Sequence, residues 1–303
     1  MNRSISSKLL LGILATLLVG GCQSQRSFHS PEEALVALDD AVQRQDKKEL
    51  HQILGEQAEQ LQSGDPEQDQ EDAVVFARKL AMSGKIRRDG PDRATILVGE
   101  EEWPFAVPLV MTKSAWRFDT TAGIEELHNR RIGRNELRTI AACRTLIDAQ
   151  AQFFNMDPDS VGVKHYAQRW ISSEGKKDGL YWQSLQGLDP SPIGPAMALA
   201  AARRDEEGQR VPFNGYLFKL LTREAASTTR PARDYMENGQ LTRDWAVIAY
   251  PAFYGDSGIM SFLCGSGGVV YQKDLGDETE KVVDQINAFD PTDWQIVDGD
   301  GEN

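Results

Sequence analysis

Between Ile124 and Phe154, apolar residues recur at three- and four-residue steps: Leu137, Ile140, Cys143, Ile147, Ala151 and Phe154. The spacing predicts a long helix with one core-facing stripe, and Gly133 is the one place for an interruption. A helix of this kind is held chiefly by whatever covers its stripe. The cover lies downstream, where the pattern turns to strands at Gly215–Leu221, Trp245–Tyr250, Gly258–Cys264 and Val269–Lys273. Gly265-Ser266-Gly267-Gly268 joins the last two as a hairpin. Between helix and strands stand a mixed segment with Trp170, Tyr181 and Trp182, a Pro-rich passage from Asp189 to Pro195, and an alanine-rich helix over Ala196–Arg204. Val282–Phe289 reads as a closing helix. Residues 121–290 are therefore expected to form a long helix packed on an antiparallel sheet, followed by a loose acidic tail over 291–303.

A chain of 303 residues has room for a second core, and the pattern upstream supplies one. Ser30-Pro31-Glu32-Glu33 reads as a capped helix start, with Ala34, Leu35, Leu38 and Val42 on one face. Helices follow at Lys48–Gln60 and Ala73–Met82, separated by a polar loop from Ser63 to Asp72 that contains Gly64-Asp65-Pro66. Strands are expected at Thr95–Val98, Trp103–Met111 and Ala115–Phe118, with Pro104 and Pro108 moving the middle one towards an edge. Three helices and a small sheet make an α+β domain over 30–120, and the whole chain a two-domain α+β protein. The order resembles small cone-shaped domains of the nuclear-transport-factor-2 or cystatin type, which host enzymes and inert binding modules alike.

The N-terminus reads as a leader. Arg3 and Lys8 precede an uncharged run, Leu9–Val19, whose eleven residues at ~1.5 Å each fall short of a ~30 Å hydrocarbon core. Leu18-Val19-Gly20-Gly21-Cys22 follows and resembles the lipobox of bacterial lipoproteins. That resemblance implies a signal peptide over 1–21, a lipid on Cys22 and a tether over 22–29. Gln23 stands where an aspartate would favour inner-membrane retention, which implies an outer-membrane protein facing the periplasm. Removing Arg3 and Lys8 with the leader takes the net charge from −13 to −15, a field that disfavours nucleic acid as a partner.

Several passages together resemble an uncharacterised bacterial envelope family catalogued as domain of unknown function 2950. They are Arg131-Ile132-Gly133-Arg134-Asn135-Glu136-Leu137, Asp178-Gly179-Leu180-Tyr181-Trp182, Gly215-Tyr216-Leu217-Phe218, Tyr254-Gly255-Asp256-Ser257-Gly258-Ile259-Met260, and the run from Gly268 to Gly276. The likeness spans about 30–295 and implies no activity, cofactor or catalytic residue. The segment from Asn135 to Gln150, with Trp245–Pro251, Ser257-Gly258 and Phe262, also resembles the globular domain of type IV pilins. A lipobox replaces the pilin assembly helix, so the resemblance implies the fold without that route of polymerisation.

Few residues invite chemistry. Gly255-Asp256-Ser257-Gly258 matches the nucleophile tetrapeptide of chymotrypsin-like proteases, but a base is needed and the chain has only His29, His51, His128 and His165. The alternative for Ser257 is a β-turn residue bonded to local backbone. Asp157-Pro158-Asp159 and Asp298-Gly299-Asp300-Gly301-Glu302 read as solvated acidic loops, and neither completes a calcium loop. No phosphate-cradling or dinucleotide motif appears, so no cofactor is expected. Arg130, Arg134 and Arg138 stack on one helical face, either pairing with nearby carboxylates or meeting an anionic polymer or protein. Tyr216, Trp245, Tyr250, Tyr254 and Tyr271 serve core or rim packing, with a carbohydrate or peptide platform as the alternative. Cys143 and Cys264 are expected to be buried between helix and sheet, where a disulfide can form. The expected function is a lipid-anchored, non-catalytic binding or structural module of the envelope, with an envelope protein or polysaccharide as the candidate partner. The alternatives are an accessory subunit of a pilus or secretion apparatus, and a hydrolase using Ser257.

Overall fold

The computed structural model describes residues 25–62, 66–157, 162–183, 190–195, 197–198, 212–226 and 231–297. The fold is α+β, in two compact units, Met1–Glu126 and Leu127–Asn303. Cys22 and the remainder of the leader, Pro158-Asp159 and the residues after Val297 lie outside the described residues. So does most of the expected helix over Ala196–Arg204.

In the first unit, α1 (Pro31–Gln43), α2 (Lys47–Leu54) and α3 (Pro66–Met82) accompany strands β1 (Gly84–Arg88), β2 (Arg93–Val98), β3 (Trp103–Pro104), β4 (Leu109–Thr112) and β5 (Ala115–Phe118). The sheet is antiparallel in the order β1-β2-β4-β5, with β3 beside β2. Ser30 caps α1 by accepting from Glu33 N, while Glu33 Oε2 accepts from His29 N. Leu38, Ile53, Ile96, Leu109, Trp116 and Phe118 form its core.

Four expectations change here. The helix expected over Lys48–Gln60 stops at Leu54, because Gly55 takes φ 86° and turns its N–H back to His51 O; a 3₁₀ turn follows at Ala58–Leu61. The loop expected to Asp72 is helical from Pro66, since the first turn of a helix needs no proline N–H. The strand expected over Trp103–Met111 is split into β3 and β4, which pair with opposite ends of β2 on one side, so β4 is interior and not an edge. The described part of the expected tether is folded in. Phe28 is buried and exchanges backbone hydrogen bonds with Trp116, and Gln25 donates to Ile53 O and Phe118 O.

The unit boundary falls inside α4 (Thr120–Met156), which runs through Gly133 without a break. The second unit continues with β6 (Tyr216–Leu221), β7 (Arg223–Glu224), β8 (Arg233–Asp234), β9 (Met236–Glu237), β10 (Gln240–Leu241), β11 (Ala246–Pro251), β12 (Met260–Gly265), β13 (Val270–Asp274), α5 (Thr279–Gln285) and β14 (Gln295–Ile296). Its main sheet is antiparallel, β14-β13-β12-β11-β6, and the expected hairpin closes with Gly268 N donating to Gly265 O at 3.1 Å. The registers place Leu220, Val247, Cys264 and Val270 in one cross-strand row, and Lys219, Ile248, Leu263 and Tyr271 in the next. Neighbouring rows point to opposite faces. The first row shares a core with Leu146, Ala149 and Phe153 of α4. The second faces α5, where Lys219 Nζ donates to Val283 O at 2.8 Å.

Three expectations shift in this unit as well. The buried stripe of α4 is Ile132, Ile140, Cys143, Leu146, Ala149 and Phe153, so Leu137 and Ala151 face outward. The closing helix starts at Thr279 and ends at Gln285, leaving Phe289 extended and bonded through its backbone to Arg223 and Ala225. Part of the expected loose tail is strand: β14 pairs with β13, and Val297 is buried.

A Cβ at Gly133 would meet nothing within 4 Å, and the position is helical. Gly133→Ala should therefore raise stability by about 0.5–1 kcal/mol, read as a higher urea midpoint with unchanged slope.

Candidate functional site

Three of the sequence passages singled out above meet in one place. Asn135 Nδ2 donates to Ser257 O at 3.0 Å, and Glu136 Oε1 accepts from Ile259 N at 3.0 Å and Met260 N at 2.9 Å. One turn earlier on α4, Arg131 Nη2 donates to Asp256 Oδ1 at 2.6 Å. His128 Nε2–H donates to Gly255 O at 2.6 Å, and its Nδ1 accepts from Arg131 Nη2 at 3.1 Å. From below, the Tyr216 hydroxyl donates to Met260 O at 2.8 Å. A phenol in this position loses its proton only with difficulty, because burial and then the Glu136 charge push its pKa far above the ordinary value.

Glycines allow the close fit. A Cβ at Gly258 would overlap the Tyr216 phenol, and one at Gly215 would lie 2.8 Å from Asn135 Nδ2. Gly215 also has φ 81°, which favours glycine.

Ser257 sits inside this clasp, 8% exposed. Its Oγ donates to Phe253 O at 3.1 Å and accepts from Phe253 N at 3.0 Å, the bonding of a turn residue. His128 approaches Gly255 and Asp256, and both of its ring nitrogens are bonded elsewhere than to Ser257. His51 lies on α2 in the first unit, His29 is exposed beside Glu33, and His165 packs against Phe153. Among the described residues, no group of three His, Cys, Asp or Glu is placed to hold a metal ion.

The arginine stripe divides. Arg130 is half-buried and has a partner of its own, whereas Arg134 and Arg138 are exposed and make no ion pair or hydrogen bond among the described residues. Leu137, 70% exposed, lies between them on the same outer face. Of the five aromatic residues, Tyr216, Trp245 and Tyr250 are buried in the sheet core, which removes them from any flat platform. Cys143 and Cys264 are both buried as free thiols, and the Cys143 side chain pushes the Cys264 thiol above its ordinary pKa. Sequence reasoning passed over the roles of Asn135, Glu136 and His128. The signal available for the first two was their place inside the passage Arg131–Leu137; for His128 there was none, since Gly255, which accepts its Nε2–H, lies 127 residues away.

Removing the Glu136 carboxylate leaves two backbone N–H groups without their acceptor. Glu136→Ala should cost about 1–3 kcal/mol in urea unfolding, and Glu136→Gln less, since an amide oxygen can still accept. An effect no larger than that of Leu137→Ala, on the exposed neighbour, would contradict the clasp.

No curated protein and no solved structure matches the chain. The family described as "Protein of unknown function (DUF2950)" matches residues 25–297, a span that holds every residue of the clasp. The chain belongs to that family.

Proposed function

We propose that this protein is a non-catalytic binding module of the bacterial envelope, held to the outer membrane by a lipid on Cys22. Its contact surface is the outer face of α4, and its partner is an anionic envelope protein or polysaccharide. Arg134 and Arg138, exposed and unpaired among the described residues, carry this reading. In a chain of net charge −13, two arginines left in water beside an exposed leucine are poorly explained by folding. Arginine forks are suited to carboxylate and phosphate groups, and the leucine adds apolar area that a solvated face does not need. The non-catalytic part of the proposal draws on Ser257, whose hydroxyl is committed to the Phe253 backbone, and on the absence of a base bonded to it among the described residues.

Two measurements test the proposal. The purified protein should be retained on an immobilised polyanion at low salt in spite of its net charge, and elute as salt rises. Arg134→Glu with Arg138→Glu should lower that retention at least tenfold with the fold intact by circular dichroism; equal retention would reject this surface. Cells fed a labelled fatty acid should label the native protein and not Cys22→Ser. An unlabelled native protein would remove the anchor from the proposal while leaving the arginine face standing.

A further inference from the structure

The clasp sets where α4 crosses the sheet, and a second junction lies further along the same two elements. From Glu136, bonded to Met260 N, α4 runs seven residues to Cys143 while β12 runs four to Cys264. Those lengths are ~10 Å of helix and ~13 Å of strand, so the two cysteines arrive at nearly the same level. They also arrive on facing sides. Cys264 shares its cross-strand row with Val247 and Val270, the row that shares a core with α4, and Cys143 lies in the buried stripe of that helix. Both are 0% exposed, and the Cys143 side chain is near enough to raise the pKa of the Cys264 thiol.

We infer that Cys143 and Cys264 form a cross-linking pair, joined by a disulfide when the chain folds in the presence of a disulfide-bearing oxidant. One cysteine thiolate displaces a sulfur of the oxidant's disulfide, making a mixed disulfide and releasing a thiol. The second cysteine thiolate then attacks the protein sulfur of that mixed disulfide. The Cys143–Cys264 S–S bond forms and the second oxidant thiol leaves. The two cysteines lose two protons and two electrons, and the oxidant's disulfide is reduced to two thiols. Both steps belong to the chain before α4 closes on β12, because neither sulfur is reachable afterwards.

Once closed, the site resists exchange. Both sulfurs are 0% exposed, so no external thiolate reaches the bond. The bond is thus a structural staple and not a reversible switch. It ties the helix to the middle of the sheet across more than 100 residues of chain, and in the chain-entropy model a loop of that length lowers the unfolding equilibrium constant about three-thousandfold.

Where the oxidant is met rests on the export proposed above; the pairing itself does not. The test uses the protein purified from its own cells, unfolded in urea with reductant, then refolded in a buffer of reduced and oxidised glutathione. Proteolysis and mass spectrometry without reductant should find the Cys143 and Cys264 peptides linked, and the urea midpoint of this material should fall when it is unfolded with reductant present. Two free thiols, or glutathione on both cysteines, would overturn the inference. Peptide mapping of the native chain needs no variant, so a Cys143→Ala chain that fails to refold leaves the test intact. A second sample, acid-quenched in whole cells and alkylated after denaturation without reductant, reads the compartment. A pair that links on refolding but is fully alkylated in cells would uphold the staple and reject export.

Discussion

One carboxylate sets the geometry of the second unit. Glu136 Oε1 accepts the N–H groups of both Ile259 and Met260 at the point where the chain enters β12. A charged acceptor shared by two backbone donors is directional in a way that apolar contact is not. It therefore determines which side of α4 turns to the sheet. With Glu136 turned towards the strand, Leu137 is carried about 100° around the helix and into water, while Ile140, Cys143 and Leu146 come to lie over the sheet.

The surrounding polar contacts act in the same sense. Asn135 holds Ser257 O, Arg131 holds the Asp256 carboxylate, and His128 holds Gly255 O, so with Ile259 on Glu136 four of the five residues from 255 to 259 are gripped from one helix. Glycine at 215 and 258 lets Tyr216 come up beneath. A serine in such a loop looks reactive on paper because Gly-Asp-Ser-Gly is also the sequence of a catalytic turn. Here the same small, polar residues answer a packing requirement: a tight bend between a buried tyrosine and a long helix.

Both faces of the main sheet are covered, by α4 on one side and by α5 on the other, which explains why β11 is buried along its whole length and reads as an unbroken apolar run. The first unit has a comparable strand in β2, buried from Ala94 to Val98. That unit departs from its local pattern mainly at its turns. The polar stretch that opens α3 has the composition of a loop, and a proline-containing stretch has the pattern of one edge strand. Local propensity reports what a residue tolerates, and a proline is tolerated both in a helix's first turn and between two short strands.

Local pattern alone carried the α+β class, the long helix, the four main strands of the second sheet, the glycine hairpin, and the burial of Cys143 and Cys264. These depend on periodicity and on backbone freedom, which neighbouring residues largely decide. The phase of α4 did not, because its apolar residues cover an arc wide enough for two adjacent stripes: one through Leu137, Ile147 and Ala151, the other through Leu146, Ala149 and Phe153. Choosing between them required hydrogen bonds from Asn135 and Glu136 to backbone 122 to 124 residues further along the chain. The tertiary structure alone could therefore decide which arginines of the stripe face water, which sulfurs face each other, and why Ser257 is held as a turn residue: each depends on a helix rotation fixed by partners remote in sequence.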